Sequence, residues 1–200
     1  MVFHIIGDSH GNIFLNLPNF TFKQHSVCAH SLIKDKYREV FLEYLRSNVQ
    51  KDDHVILIFG EIDCRLHFHY QSQKQNRSIS DLIDDTIRRY GLFGKMLSEI
   101  GIDFAFYNVV PTGSWAVLDY GNGMKTCEME LRKRIYREFH DKLATYCREN
   151  NYKIIDMWDL IAGDYGFTKQ EYRQDEVHLN TAVLPIALKE IARVFSVNDI

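Results

Sequence analysis

The sequence predicts an α/β protein built on a five-stranded parallel sheet with helices on both faces. Three observations lead there. Five short apolar runs recur along the chain, amphipathic segments of helical length separate them, and turn residues follow the runs. Strands alternating with helices imply crossover connections, and right-handed crossovers cover both sides of a sheet.

Taken in order, Val2 to Ile6 is the first strand and stops at Gly7-Asp8. Phe20 to Val27 is more polar and reads as an outer strand. Residues 31–48 place Leu32, Tyr37, Val40, Phe41 and Leu45 at helical spacing. Val55 to Phe59 is a continuous apolar, largely β-branched run, the pattern of a central strand buried on both faces. Residues 80–100 open on the capping pair Ser80-Asp81 and carry Leu82, Ile83, Ile87, Leu92 and Leu97. Phe104 to Val110 ends at Pro111, residues 128–149 are helical and charged, and Lys153 to Met157 is the last strand. Residues 180–196 begin at Asn180-Thr181 and carry Leu184, Ile186, Ile191 and Val194 as a final helix. The polar stretches 65–79 and 112–126 follow strand ends, where parallel sheets bind ligands, and are expected to wall a site.

Bulk properties narrow the partners. A length of 200 residues suits one domain spanning residues 1–200, and 46% hydrophobic with 26% charged residues is a globular balance. A net charge of -3 with interspersed signs gives no footprint for nucleic acid or an anionic membrane. Cys28, Cys64, Cys127 and Cys147 contain no CxxC pair, which predicts reduced thiols in a cytoplasmic protein. Met1 to Ile6 lacks the basic region and long apolar run of a signal peptide, and no stretch approaches membrane-span length. Oligomeric state is left open.

Three clusters carry chemistry: Gly7-Asp8-Ser9-His10, Gly60-Glu61-Ile62-Asp63-Cys64-Arg65 and Asp175-Glu176-Val177-His178-Leu179-Asn180. The first two follow strands, whose carboxyl ends share one sheet edge, and the third precedes the last helix. Ser9 offers a hydroxyl on a sharp turn and His178 an imidazole suited to proton transfer near neutral pH. Asp175, three residues earlier, is placed to orient that imidazole.

These blocks, in this order and spanning residues 7 to 180, resemble the SGNH (GDSL-type) hydrolase superfamily. The resemblance implies a flavodoxin-like three-layer α/β/α sandwich, expected here with strand order 2-1-3-4-5. It also implies metal-free, cofactor-free hydrolysis or transfer of acyl esters, with Ser9 as nucleophile, His178 as general base and Asp175 as its partner. The third block of that family is usually Gly-x-Asn-Asp, its asparagine donating to the oxyanion; here Ile62 replaces the donor. Backbone N–H groups of Ser9 and of the Cys28-Ala29 turn are the expected remaining donors. Asp8, Glu61, Asp63, Arg65 and Trp115 are expected to line the site, Trp115 as a substrate platform. For Glu61, Asp63 and Arg65 an ion-pair cluster that rigidifies the loop is the competing reading. The third block is similar to that of SGNH-like proteins found with bacterial surface-polysaccharide synthesis, which points to an acylated sugar, O-acetylated foremost, as the expected substrate.

Other readings compete. The same triad serves an O-acyltransferase acting on surface polysaccharide, and the fold without catalysis serves a sugar-binding protein. Gly7-Asp8-Ser9-His10-Gly11-Asn12 also matches the opening motif of metallophosphoesterases. Their further ligands are missing, since Gly60-Glu61 replaces a second Gly-Asp and no Asn-His dipeptide occurs. His10 is expected to pack beside the nucleophile turn. His67 and His69 would face one side of an extended segment, but no third zinc ligand is apparent and a solvated pair is expected, with no metal.

Overall fold

The apolar run from Val55 lies at the centre of the sheet, as a strand buried on both faces must. The structure is a computed structural model that describes residues 1–25, 27–121 and 124–198. Its strands are β1 (Phe3–Gly7), β2 (Phe20–Gln24), β3 (His54–Ile58), β4 (Phe104–Tyr107) and β5 (Lys153–Ile155), all parallel, in the order 2-1-3-4-5. The predicted three-layer α/β/α arrangement is therefore the one observed. The helices are α1 (Asp35–Asn48), α2 (Phe68–Gln75), α3 (Ile79–Glu99), α4 (Met129–Glu149), α5 (Trp158–Ile161) and α6 (Leu184–Phe195).

Because side chains alternate along a strand, the central strands feed two cores. Ile6, Val55, Leu57 and Phe106 pack with Phe41, Leu45, Ile83, Tyr90, Phe93, Phe139 and Leu143 of α1, α3 and α4. Ile5, Ile56, Ile58 and Tyr107 pack on the opposite face with Phe14 and with Ala187, Ile191 and Phe195 of α6. β2 lies at the sheet edge and shows water three of its five residues, which explains its polar sequence.

Several boundaries differ from the sequence reading: β2, β4 and β5 end two or three residues early, and α1 starts at Asp35 rather than residue 31. The cap of α3 is Ser78, whose hydroxyl accepts from the Asp81 N–H at 3.0 Å, so the helix starts ahead of Ser80. The last helix is preceded by a 3-10 turn, Thr181–Val183, with Pro185 in its first turn. Residues 65–79 are not an irregular wall. A π-helical turn, Asp63–His67, leads directly into α2. His67 and His69 therefore do not share one side of an extended segment: two residues on a helix point about 200° apart. Among the described residues no helix is long and apolar enough to cross a membrane.

Candidate active site

Ser9 follows β1 directly and opens a 3-10 turn, Ser9–Phe14. The end of β1 is pressed onto β3: the Asp8 N–H donates to the Ile58 carbonyl at 3.0 Å, and a Cβ on Gly7 would sit 2.2 Å from that oxygen. Only glycine permits this approach, which fixes where the nucleophile turn leaves the sheet. The Asp8 carboxylate caps the turn by accepting the His10 N–H at 3.0 Å. Asp8 is 1% exposed, so it lies beneath the nucleophile rather than on a wall open to substrate. Burial, helped by the nearby Glu61 charge, pushes its carboxyl well above the usual carboxylate range.

The loop before α6 brings His178 to Ser9. His178 Nε2 lies 2.8 Å from Ser9 Oγ, and His178 Nδ1 lies 2.9 and 3.1 Å from the two Asp175 oxygens. A carboxylate on Nδ1 selects the tautomer that leaves Nε2 to accept the Ser9 proton. Asp175 also accepts the Val177 and His178 N–H groups, both at 2.7 Å. Burial alone would raise its pKa. Hydrogen bonds from the His178 backbone, the His178 ring and the Val177 backbone outweigh it and hold the group at about 2. Asn180 fixes the loop: its amide donates to the Glu171 and Arg173 carbonyls at 2.9 and 3.0 Å, while its side-chain oxygen accepts the Ala182 N–H. Sequence reasoning found Asn180 as a helix start but not as the clamp on the base-bearing loop, because its partners lie seven and nine residues upstream.

Fewer backbone groups are free to serve as the expected oxyanion donors. The Ala29 N–H donates to Asp63 Oδ2 at 2.6 Å, which removes Ala29 from that role. The N–H groups of Ser9 and Cys28 have no acceptor among the described residues. Ile62 offers nothing polar, and the loop after β3 winds into helix at once, the Cys64 N–H donating to the Gly60 carbonyl at 2.9 Å.

Glu61, Asp63 and Arg65 form the rigid cluster rather than a polar wall. Arg65 donates to both Glu61 oxygens at 2.6 and 3.1 Å, and the Tyr136 hydroxyl adds a third bond at 2.7 Å. Burial would raise the Glu61 pKa, but the charges of His10 and Arg65 hold it below its usual range. Asp63 is fully buried, and its second oxygen accepts from His30 Nδ1 at 2.8 Å. Neither carboxylate is free to meet a substrate. Arg65 keeps a partly exposed guanidinium that also donates to the Tyr120 hydroxyl.

Trp115 is no platform. It is 7% exposed, and the Arg132 guanidinium covers its ring at 3.3 Å from the centroid. The stretch 112–126 still reaches the site through its backbone. A Cβ on Gly113 would lie 2.6 Å from Trp115 Cδ1 and 2.8 Å from the Glu176 carbonyl oxygen, inside the triad loop. Gly113→Ala must displace that loop, and a misplacement of about 1 Å lowers kcat/KM by on the order of 10²-fold. Ester turnover at unchanged melting temperature is the measurement, and a variant as fast as wild type would disprove the coupling.

His10 packs beside the triad, its ring centroid 5.3 Å from that of His178 and its Nε2 3.8 Å from Glu61 Oε2. Burial lowers its pKa from 6.5 to about 4, so the ring is neutral under the site at neutral pH. The unfolded chain takes up this proton first. The resulting stability is fully present above pH 6.5 and is lost as pH falls toward 4. At 1.36 kcal/mol per unit the loss is at most about 3 kcal/mol. Urea unfolding at both pH values should show wild type losing more than His10→Gln; equal losses would exclude His10 as the source.

No protein-family model matches the chain, and no curated protein matches it. Solved structures do. A GDSL-like lipase from Bacteroides thetaiotaomicron superposes with TM-score 0.63 at 11% identity, covering 97% of this chain and 87% of that one. A catalytic mutant of an acetylxylan esterase from Geobacillus stearothermophilus gives TM-score 0.61 at 10% identity, covering 98% and 94%. A member of the lipolytic G-D-S-L family from Veillonella parvula gives 0.55 at 16% identity, covering 98% of both chains. With strand order 2-1-3-4-5 and helices on both faces, this chain has the three-layer α/β/α fold of the GDSL-type (SGNH) hydrolases.

Proposed function

We propose that the chain is a serine esterase that removes small acyl groups, acetyl foremost, from an alcohol of carbohydrate type. The observation that carries this reading is the continuous hydrogen-bonded line from Ser9 Oγ through both ring nitrogens of His178 to Asp175. Ser9 attacks the ester carbonyl while His178 Nε2 takes its proton. The imidazolium, stabilised by Asp175, then protonates the leaving alkoxide. Water, deprotonated in turn by His178, cleaves the acyl-Ser9 ester and regenerates the hydroxyl. The N–H groups of Ser9 and Cys28 are the donors for the oxyanion.

Two features refine the substrate and outcome. The cavity behind the nucleophile turn, lined by Asp8, His10, Glu61, Tyr107 and Asn108, is about 20 Å³, which gives a long acyl chain no channel there. His178 and Asp175 keep 32% and 40% of their side-chain surface exposed, so water reaches the acyl-enzyme; this favours hydrolysis over transfer to a second sugar. An acetylxylan esterase and lipolytic hydrolases among the structural relatives agree with the reaction class. The four cysteines are free, in keeping with a reducing, cytoplasmic setting.

Turnover of p-nitrophenyl acetate together with labelling by a fluorophosphonate probe tests the reading. Wild type is expected to do both and Ser9→Ala neither. Labelling at another residue, or none in wild type, would refute it.

A further inference from the structure

We propose that Cys28, His30, Asp63 and His67 bind one transition-metal ion of the zinc type, on the turn and helix beside the active site. Cys28 Sγ lies 2.8 Å from His67 Nδ1, His30 Nδ1 lies 2.8 Å from Asp63 Oδ1, and His67 Nδ1 lies 3.9 Å from that same oxygen. All four ligand atoms fall within 4.8 Å of one another. A tetrahedron with bonds of about 2.0–2.3 Å has edges of roughly 3.3–3.7 Å, so side-chain shifts of less than about 1 Å seat an ion among them.

The surroundings are those of ligands already aimed. The Ser31 hydroxyl lies 3.1 Å from His30 Nε2 and can take that ring's proton when an ion replaces the Nδ1–H bond to Asp63, which turns the Nδ1 lone pair to the cluster. The Ala29 N–H holds the second oxygen of Asp63, turning the first toward His30 and His67. The helical path through Asp63–His67 puts the carboxylate and His67 four residues apart, on one helix face. Asp63 forms the buried floor, while Cys28, His30 and His67 are partly exposed. A cleft of about 280 Å³ lined by His30, Lys34, Asp63, His67 and Phe68 gives an ion its entry path.

The donor set selects the metal. One thiol, two imidazoles and one carboxylate suit Zn²⁺ or Co²⁺; Mg²⁺ and Ca²⁺ require oxygen ligands throughout. Binding releases the Cys28 thiol proton to solvent and changes no oxidation state. Four protein ligands complete a tetrahedron, so the ion is a structural clip. It joins the turn that carries the Cys28 N–H to the helix after β3.

The whole chain, reduced and freed of metal by chelator, is titrated with CoCl₂ and with ZnCl₂ against a chromophoric indicator; no ester is involved, so the result is independent of the esterase reading. One equivalent of Co²⁺ is expected to give intense tetrahedral d–d bands and a thiolate-to-cobalt charge-transfer band. Cys28→Ser should lose that band. Since even outer partners of metal ligands cost 10–100-fold in affinity, Cys28→Ser and His67→Ala should each weaken Zn²⁺ by at least about 10²-fold. Zn²⁺ should raise the melting temperature of wild type but not of His67→Ala, a substitution at a partly exposed side chain. Octahedral, weakly coloured Co²⁺, or Zn²⁺ affinity unchanged in His67→Ala, would overturn the proposal.

Discussion

Ser9→Ala is expected to lower kcat for an acetyl ester by about 10⁶-fold, the loss seen when a serine nucleophile is deleted from a preassembled triad. His178→Ala should lose about as much, and the double variant little more, because the two side chains act in one proton transfer. Asp175→Asn is expected to cost about 10⁴-fold. Its amide presents an N–H to Nδ1 where the carboxylate accepted one, and so turns Nε2 from acceptor into donor toward Ser9. It also weakens the bonds from the Val177 and His178 N–H groups that shape the loop. Steady-state kinetics on the purified variants provide the measurement. Retention of turnover within tenfold of wild type in Ser9→Ala would eliminate Ser9 as nucleophile. Even the wild-type rate should be modest, since the side-chain oxyanion donor replaced by Ile62 is worth about 3 kcal/mol in other serine hydrolases.

Arg132→Met is expected to destabilise the fold by about 4 kcal/mol. The guanidinium is fully buried near the start of α4, where the helix dipole disfavours a cation, and burial itself lowers its pKa. What holds it is a set of carbonyls. It donates to Trp115 O at 2.6 Å, Cys127 O at 2.9 Å and Gly113 O at 3.4 Å, and to the Thr112 hydroxyl at 3.2 Å. Removing it leaves buried acceptors unpaired at about 1–3 kcal/mol each and strips the cation from the Trp115 ring. Relief from burying the charge offsets part of that sum. Arg132→Lys should recover less than half, because a single ammonium cannot fork to the four acceptors that the guanidinium reaches. Urea unfolding reads the loss; a change below about 1 kcal/mol would mean that the stretch 112–127 repacks without it.

The sheet and the meeting of His178 with Asp175 were legible because each rests on a local signal. Val55 to Phe59 is apolar without interruption only because helices cover both its faces, and Asp175-x-x-His178 reaches its geometry within one turn. Features that depend on distant partners were not. Trp115 follows the polar run Thr112-Gly113-Ser114, and its buried state is set by Arg132, seventeen residues later on another element. Residues 63–75 carry few apolar side chains, so no hydrophobic stripe announces a helix. That omission hid the Asp63 and His67 spacing, which meets Cys28-x-His30 only once the segment is wound. Ala29 looked like a free backbone donor because nothing nearby in sequence shows that Asp63 reaches it across 34 residues.

The bond between Ser9 and His178 spans 169 residues of chain, whereas Asp175 lies only three residues from His178. A growing polypeptide therefore carries the proposed nucleophile from the first strand onward with no proposed base beside it. Base and orienting carboxylate arrive together, on a loop anchored when Leu179, Val183, Ala187 and Ile191 close over Ile5 and Ile58. On the proposed roles, reactivity at Ser9 marks completion of folding: partly synthesised or C-terminally clipped chains are expected to hold an inert hydroxyl, and acyl-enzyme is expected only from a chain whose last helix has docked.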